Sequence, residues 1–179
     1  MSVEALAQRD DSFFDIFREH DAVMLLLEPE SGRILDANIA AEKFYGYSLE
    51  QFKRMTVADI NQLPSEEIAE NLTYVLKRKK GYFIFPHRLA NGETRMVEVR
   101  TSPVTVNEKT FLFSIIQDVT ERLQAEDALR ESEERYRSLF DRIIDGFYRS
   151  THEGRFVDVN SAMVRMFGYS SKEEMLQVD

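Results

Sequence analysis

The chain has 179 residues, of which 43% are hydrophobic and 31% are charged, and it contains no cysteine. This length accommodates one ordinary domain, or one domain and part of another. The 13 Phe and 7 Tyr supply bulky core side chains and argue against disorder throughout the chain. The lack of cysteine excludes disulfides, zinc–thiolate sites, iron–sulfur clusters and cysteine photoadducts.

Charge and hydropathy exclude two further classes. The 32 acidic residues outnumber the 23 basic ones and give a net charge of −9, which argues against a nucleic-acid partner. The basic run Lys77–Lys80 is interpreted as the solvated end of a helix. The longest apolar stretch, Ala22–Leu27, is too short for a membrane span, and Met1–Glu4 does not resemble an export signal. We therefore expect a cytoplasmic protein with no membrane segment and no nucleic-acid partner.

Hydrophobic spacing and turn residues predict the elements of the first half of the chain. A helix, two strands and two short helices are expected at Ser12–His20, Ala22–Leu27, Arg33–Ala37, Ile39–Tyr45 and Leu49–Lys53. Asn38 is the predicted N-cap of the helix that starts at Ile39, since its side-chain oxygen can accept a free backbone N–H. Gly46 is predicted to close that helix in a left-handed conformation, and Ser48 to cap the next one.

A longer helix and three strands follow. The helix is predicted over Ser65–Lys80, with Ser65 as N-cap and Gly81 after its end. The strands are predicted over Tyr82–Leu89, Thr94–Pro103 and Thr110–Gln117. Pro86 places the first of these at a sheet edge, whereas Thr110–Gln117, apolar on both faces, is expected in the centre with both faces covered. Two strands, several helices and three strands indicate an α+β fold with an antiparallel sheet.

Charged residues dominate from Val119 to Ile143, where proline and glycine are absent. A continuous helix is predicted there, with apolar residues at roughly heptad spacing: Ala125, Leu129, Tyr136, Leu139 and Ile143. Because Ala125 and the intervening polar residues weaken this seam, we interpret it as a marginal coiled coil that needs other contacts.

The chain contains an internal repeat. Gly32–Asn38 recurs as Gly154–Asn160, and Gly46-Tyr47-Ser48 recurs as Gly168-Tyr169-Ser170, both 122 positions later. Asn160 is therefore a second predicted helix cap. We expect one complete module over residues 11–118, a connector over 119–143, and the opening third of a second module over 144–179. The second copy lacks the last three strands, so we expect it to be poorly packed.

These motifs, together with Asn91-Gly92-Glu93 and Asp118–Arg122, resemble a PAS domain with its attached signalling helix. The resemblance implies a five-stranded antiparallel sheet flanked by helices, with a cavity between them for a small-molecule ligand. It also implies a homodimer that passes a signal through the C-terminal helix. PAS modules typically precede histidine kinase or diguanylate cyclase output domains.

The resemblance also bears on cofactors, and the cofactor is left unknown. Haem-binding PAS domains take an axial His from the long helix, and Ser65–Lys80 has none. Flavin photoreceptors of the family need a cysteine, and present a Gln where Ile116 stands; non-covalent flavin stays open. The three histidines, His20, His87 and His152, are scattered, and no metal-binding or catalytic motif is present. We expect this chain to have no catalytic activity and to bind no metal.

His87 shares a predicted strand face with Phe83 and Phe85, so it is expected either to bind an anion or titrate in the cavity, or simply to be satisfied by a neighbour or solvent. The second alternative is favoured. For the apolar wall residues, an ordinary core role is likewise favoured over ligand contact. The candidate cavity residues are Phe44, Phe52, Met55, Leu72, Leu76, Phe83, Phe85, His87, Val97, Val99 and Ile115.

Asp118, Val119 and Thr120 lie where the last strand meets the connector, and they are candidates for relaying strand movement to the helix; a cap with no signalling role is the alternative. The leading functional hypothesis is a sensory and dimerisation module of a signalling protein, which relays ligand or partner binding to an output domain. The alternatives are a ligand-free scaffold that aligns subunits, and a redox sensor with non-covalent flavin or haem.

Overall fold

The computed structural model describes residues 11–106 and 108–177. The chain divides into two compact units, with the boundary between Leu123 and Gln124. This boundary lies inside one helix, close to the predicted start of the connector. The proposed module limits stay a prediction, and the last residue of the second module, Asp179, lies outside the described residues. The segment Met1–Glu4, considered above as an export signal, also lies outside them.

The first unit contains five helices and five strands within the described residues. The helices are α1 (Asp11–Glu19), α2 (Ile39–Tyr45), α3 (Leu49–Phe52), α4 (Val57–Ile60) and α5 (Ser65–Arg78). The strands are β1 (Val23–Leu27), β2 (Ile34–Ala37), β3 (Gly81–Arg88), β4 (Thr94–Val106) and β5 (Lys109–Asp118). The predicted elements are all present, and α4 is additional, because a four-residue helix leaves no periodic signal in the sequence.

The five strands form one antiparallel sheet in the order β2-β1-β5-β4-β3. The predicted edge position of the strand with Pro86 and the predicted central position of Thr110–Gln117 are both confirmed. The expectation that both faces of the central strand are covered is wrong: Ile115 on the outer face is 38% exposed. Phe17 of α1 packs on that face against Phe113, with ring centroids 6.1 Å apart.

The inner face of the sheet carries the main core. Leu25 and Leu27 of β1, Val97 of β4 and Leu112 of β5 are buried there against α2, α3 and α5. The aromatic rings of Tyr45 and Phe52 are buried in this core. Their centroids lie 5.8 Å apart, and the ring planes are nearly perpendicular. These positions alternate along each strand, as a sheet with one buried face requires.

The ends of α5 differ from the prediction. Pro64, not Ser65, is the N-cap residue, and the helix ends at Arg78 with Lys79 in the left-handed region at φ 60°. Gly81 follows the end of the helix, as predicted, and is the first residue of β3. A Cβ at Gly81 would lie 2.5 Å from Val75 Cγ2 and 2.5 Å from Phe83 Cε2, so the glycine lets helix and strand approach closely.

A 23-residue helix, α6 (Thr120–Arg142), follows β5, and none of its residues is buried. The second unit then contains β6 (Tyr148–Ser150), β7 (Phe156–Val159), α7 (Ser161–Phe167) and α8 (Lys172–Leu176). β6 and β7 pair as a two-stranded sheet over a small core of Val159, Met163 and Met175. Within the described ranges, every helix is too short or too polar to span a bilayer.

Candidate functional site

Asn38 is the buried polar centre of the β1–α2 region. Its Oδ1 accepts hydrogen bonds from the N–H of Ala41, which caps α2, at 2.9 Å and from the N–H of Met24 in β1 at 3.0 Å. Its Nδ2 donates to the carbonyls of His20 and Ala22, at 2.9 and 2.7 Å. The predicted cap is therefore also a clamp that joins β1 to α2, and we call these four bonds the asparagine clamp.

A cavity of about 50 Å³ lies between the inner face of the sheet and helices α4 and α5. Ten apolar residues line it: Leu25, Leu27, Val57, Ile68, Leu72, Val75, Phe83, Phe85, Val99 and Ile116. Five polar residues also line it: Asn61, Asn71, His87, Thr101 and Ser114. None of these lining residues carries a carboxylate, an ammonium group or a guanidinium group.

His87 lies in the wall of this cavity and is 4% exposed. Its Nδ1 lies 2.7 Å from the hydroxyl oxygen of the buried Tyr45, at hydrogen-bond distance. Burial lowers the pKa of His87 to about 3 and raises the pKa of Tyr45 above its ordinary value, because both charged forms would lose their hydration. His87 is thus a buried imidazole that is hydrogen-bonded to a neighbour, which fits the favoured alternative, and its lowered pKa argues against an anion site and against titration near neutral pH.

The eleven candidate cavity residues fall into three groups. Five line the cavity: Leu72, Phe83, Phe85, His87 and Val99. Phe52, Met55 and Val97 belong to the surrounding core without lining it. Phe44, Leu76 and Ile115 are corrections. Phe44 packs against the core but lines a surface groove beside His20 and Lys43 and not the cavity, while Leu76 and Ile115 are 37% and 38% exposed.

Strand register explains the error at Ile115. Thr101 pairs with Ser114 and Val99 pairs with Ile116, and paired residues point to the same face of a sheet. The inner face of β5 therefore carries Ser114 and Ile116, and Ile115 points outward. The two adjacent isoleucines look alike in the sequence, so only the register with β4 decides between them.

Sequence reasoning missed Tyr45, four of the five polar lining residues and six of the ten apolar ones. Continuing the alternation of Val97 and Val99 by one step would have identified Thr101, whose hydroxyl lies 2.9 Å from that of Ser114. Asn61 and Asn71 left no signal. Asn61 lies in a loop that meets β3 through an antiparallel bridge to His87, a contact that periodicity cannot show.

The junction between β5 and α6 is bonded to β4 at two adjacent residues, Met96 and Arg95. The N–H of Val119 donates to the Met96 carbonyl at 2.9 Å, and Thr120 Oγ1 accepts from the Met96 N–H at 2.9 Å. Asp118 Oδ1 accepts from the N–H of Thr120 at 2.9 Å, and Oδ2 lies 3.3 Å from a nitrogen of Arg95. The three candidate relay residues thus tie the first turn of α6 to β4.

A second connection between β4 and α6 was not predicted. Glu98, buried on the outer face of β4, accepts hydrogen bonds from Tyr82 at 3.0 Å and Arg100 at 2.9 Å, and its Oε2 lies 3.8 Å from a nitrogen of Arg122. The bond from Arg100 lowers the pKa of Glu98. We call Tyr82, Glu98, Arg100 and Arg122 the Glu98 cluster; it is a charged contact between the sheet and the first turn of α6.

Asn160 repeats the asparagine clamp in the second unit. Its Oδ1 accepts from the N–H of Met163 and of Phe147, both at 2.9 Å, and its Nδ2 donates to the carbonyl of Asp145 at 2.9 Å. A longer bond of 3.5 Å reaches the carbonyl of Ile143. The predicted second cap is thus built from equivalent partners.

A five-stranded antiparallel sheet with flanking helices, a cavity beneath its inner face and a helix leaving its central strand place the first unit in the α+β class. A PAS domain model matches residues 20–121, and a second PAS domain model matches residues 134–179. The chain belongs to the PAS domain family. Domains of this family are generally sensory and not catalytic.

Curated relatives are signalling enzymes. The chain is 32% identical over 119 residues to diguanylate cyclase DgcM of Escherichia coli K12, an alignment that covers 65% of this chain and 29% of that protein. It is 25% identical over 163 residues to sporulation kinase E of Bacillus subtilis, covering 90% of this chain and 22% of the kinase. The alignments thus span less than a third of either relative.

Solved structures show the same fold. A PAS domain from Desulfitobacterium hafniense matches with a TM-score of 0.54 at 24% identity, over 58% of this chain and 98% of that domain. A PAS domain from Colwellia psychrerythraea matches with a TM-score of 0.56 at 20% identity, over 62% of this chain and 97% of that domain.

Proposed function

We propose that the first unit is a sensor that relays the binding of a ligand or partner to α6, and through α6 to the output domain of a signalling protein. The relatives named as a cyclase and a kinase support an output activity of one of these two kinds. The observation that carries the relay is the pair of hydrogen bonds that joins the backbone of Met96 to Val119 and Thr120. A stimulus needs only to favour one of two arrangements that differ by about a few kcal/mol.

The route runs along β4. Val99 of this strand lines the cavity, and Met96, three residues earlier, holds the first turn of α6. Between them, Glu98 faces outward and contacts Arg122. A shift of β4 caused by a change in the cavity would therefore reach α6 at two points.

A double-mutant cycle tests this route. Val99→Ala alters the cavity wall, and Thr120→Val removes the hydroxyl that accepts from Met96 while keeping the side-chain shape. Hydrogen exchange of the Leu123 N–H, which donates to the Val119 carbonyl, reports the opening of the first turn of α6. Changes at distant, unconnected sites normally add. If β4 couples the two sites, their effects should be non-additive by at least about 0.5 kcal/mol.

The control cycle pairs Val99→Ala with Thr105→Val. Thr105 is an exposed residue of the same strand, on the side of Val99 away from Met96. Its cycle is expected to be additive. Additivity in both cycles would contradict the relay.

We also propose that α6 pairs with the same helix of a second copy. Leu129, Tyr136 and Leu139 are each more than half exposed in the single chain, at 62%, 53% and 60%. Their near-heptad spacing fits a helix pair. Analytical ultracentrifugation is expected to find a dimer that Leu129→Glu weakens, and a strict monomer at all concentrations would contradict this part of the proposal.

A ligand-free scaffold is the second candidate, and the size of the cavity favours it. About 50 Å³ is a third of the roughly 150 Å³ that holds a benzene molecule. A flavin ring system does not fit without movement of the walls. In a thermal-shift screen of metabolites, a sensor is expected to be stabilised by one ligand class, whereas a scaffold is stabilised by none.

A further inference from the structure

We propose that the cavity selects a small uncharged molecule with a hydrogen-bonding head, held between Asn61 and His87, and that it excludes ions of the same shape. This inference rests on the proposed sensory function, since it names the ligand class of the same site. All the side chains that line the cavity and can form hydrogen bonds are neutral groups: two carboxamides, one imidazole and two hydroxyls. An ion entering it would lose its hydration without finding an opposite charge.

The head group is assigned to the Asn61–His87 end because these residues have unused hydrogen-bonding capacity. Asn61 is 7% exposed, and its Oδ1 accepts from the Leu63 N–H at 2.8 Å. This bond orients the carboxamide and leaves Nδ2 without a partner among the residues that the structure describes. In His87, Nδ1 is taken by Tyr45, and Nε2 contacts no partner within the same described ranges.

The backbone places these two side chains next to each other. Asn61 and His87 are partners in an antiparallel bridge, and the Gln62 N–H donates to the Pro86 carbonyl at 3.0 Å. Residues directly opposite in such a bridge have Cβ atoms about 5 Å apart on one face. Both residues line the cavity, so a ligand group entering there meets a carboxamide donor and an imidazole nitrogen together.

The other polar end of the cavity is already paired. Thr101 and Ser114 are hydrogen-bonded to each other at 2.9 Å. In the register of β3 and β4, Thr101 stands opposite Gly81, whereas His87 lies six residues further along β3. A ligand of a few heavy atoms therefore cannot reach both polar ends, and its apolar part would contact Phe85, which stacks on His87 and also lines the cavity.

The cavity volume limits the ligand to a few heavy atoms. Acetamide, acetate and acetamidinium have the same four heavy atoms and nearly the same shape, and they carry zero, negative and positive charge. Ligands this small bind with Kd values on the order of 1 mM, a range that NMR titration measures well. These three compounds are therefore the probes.

The experiment titrates each probe at constant ionic strength into the isotope-labelled full chain and follows the backbone amides. With acetamide, we expect saturable shifts at Asn61, Leu72 and His87, and no saturable shift there with acetate or acetamidinium. Saturation by a charged probe as readily as by acetamide would overturn the proposal. So would the absence of saturable shifts with acetamide at concentrations far above the millimolar range.

Two variants locate the site. Asn61→Asp keeps the acceptor for Leu63 but introduces a charge, and is expected to reverse the preference from acetamide to acetamidinium by about tenfold or more. Asn61→Leu is expected to abolish acetamide binding and keeps the test valid if the charged variant does not fold. Asn91→Asp, in the exposed β3–β4 turn, is the matched control and is expected to bind acetamide normally. Unchanged preference in Asn61→Asp, with folded spectra, would place the ligand elsewhere.

The result of the acetamide titration can be distinguished from the result of the double-mutant cycle that tests the relay. Acetamide binding without any non-additivity between Val99 and Thr120 would support the ligand class and contradict the relay. Non-additivity without acetamide binding would do the reverse.

Discussion

The two asparagine clamps form the same hydrogen bonds in different surroundings. Asn38 joins a strand that pairs on both sides, with β2 and with β5, whereas Asn160 joins β6, whose described partner is β7 alone. At the end of the capped helix, Tyr45 is 1% exposed and contacts His87, but its repeat equivalent Phe167 is 60% exposed. The clamp is therefore local and forms without the complete sheet, whereas the buried aromatic–histidine pair depends on β3.

Strand pairing extends the repeat beyond the motifs that match in the sequence. From Gly32 onward the offset is 122 residues, whereas Leu25 and Leu26 correspond to Tyr148 and Arg149 by their pairing, an offset of 123. The turn between the two strands is one residue shorter in the second copy. Both clamps nevertheless use equivalent atoms, which indicates that the clamp and not the turn sets the strand position.

The largest effect is expected from removing the clamp in the complete sheet. Asn38→Ala leaves the buried N–H of Met24 and two carbonyls unpaired and is expected to lower the free energy of unfolding by about 2–4 kcal/mol. Asn160→Ala is expected to cost about 1 kcal/mol, because its strand-side partners are only partly buried. Urea unfolding, followed by amide signals of each unit, measures both. Equal losses of unfolding free energy in the two variants would contradict the expected difference between the two clamps.

The next effect compares the turn glycines. Gly32 has φ +67°, and a Cβ there would lie 2.9 Å from Val57 Cγ2 and 3.2 Å from Leu72 Cδ1. Gly154 has φ +90° and open space around the Cβ position. Gly32→Ala is expected to cost about 2–3 kcal/mol, from backbone strain and crowding together, and Gly154→Ala about 1 kcal/mol from strain alone. The same unfolding measurement checks this, and a larger loss in Gly154→Ala would contradict it.

The pH dependence of stability should reveal the burial of His87. The pKa of His87 is about 3 in the folded chain and near 6.5 when unfolded, so the unfolded state binds more protons between these values. Its stabilising contribution is complete above pH 6.5 and is lost as the pH falls, by up to about 1.4 kcal/mol per pH unit. His87→Gln should flatten the curve between about pH 6.5 and pH 5, because glutamine does not titrate. Parallel curves for the unchanged protein and the variant would contradict the burial of His87.

The smallest effect concerns the Glu98 cluster. Glu98→Gln keeps a hydrogen-bonding side chain but removes the charge that faces Arg122, so we expect slightly faster hydrogen exchange at Leu123, with little change in the rest of β4. Glu50→Gln, which removes an exposed charge of α3 beside Lys53, is the control and should leave Leu123 unchanged. Identical exchange in both variants would show that the cluster does not hold α6.

Much of the fold could be predicted from the sequence, because its signals are local. The cap at Asn38, the left-handed Gly46 and the alternation of β4 each depend on neighbouring residues. The site could be predicted only in part, because it depends on contacts between distant segments. The face of Ile115 is set by register with β4, and the bond of Tyr45 to His87 joins residues 42 positions apart.

Native-state hydrogen exchange at two equivalent amides tests the comparison most directly. The Met24 N–H donates to Asn38 Oδ1 and the Phe147 N–H donates to Asn160 Oδ1, so the two amides have the same acceptor group. If the complete sheet adds stability beyond that of the clamp itself, Met24 should exchange at least about a hundredfold more slowly than Phe147. Equal protection of the two amides would contradict this account.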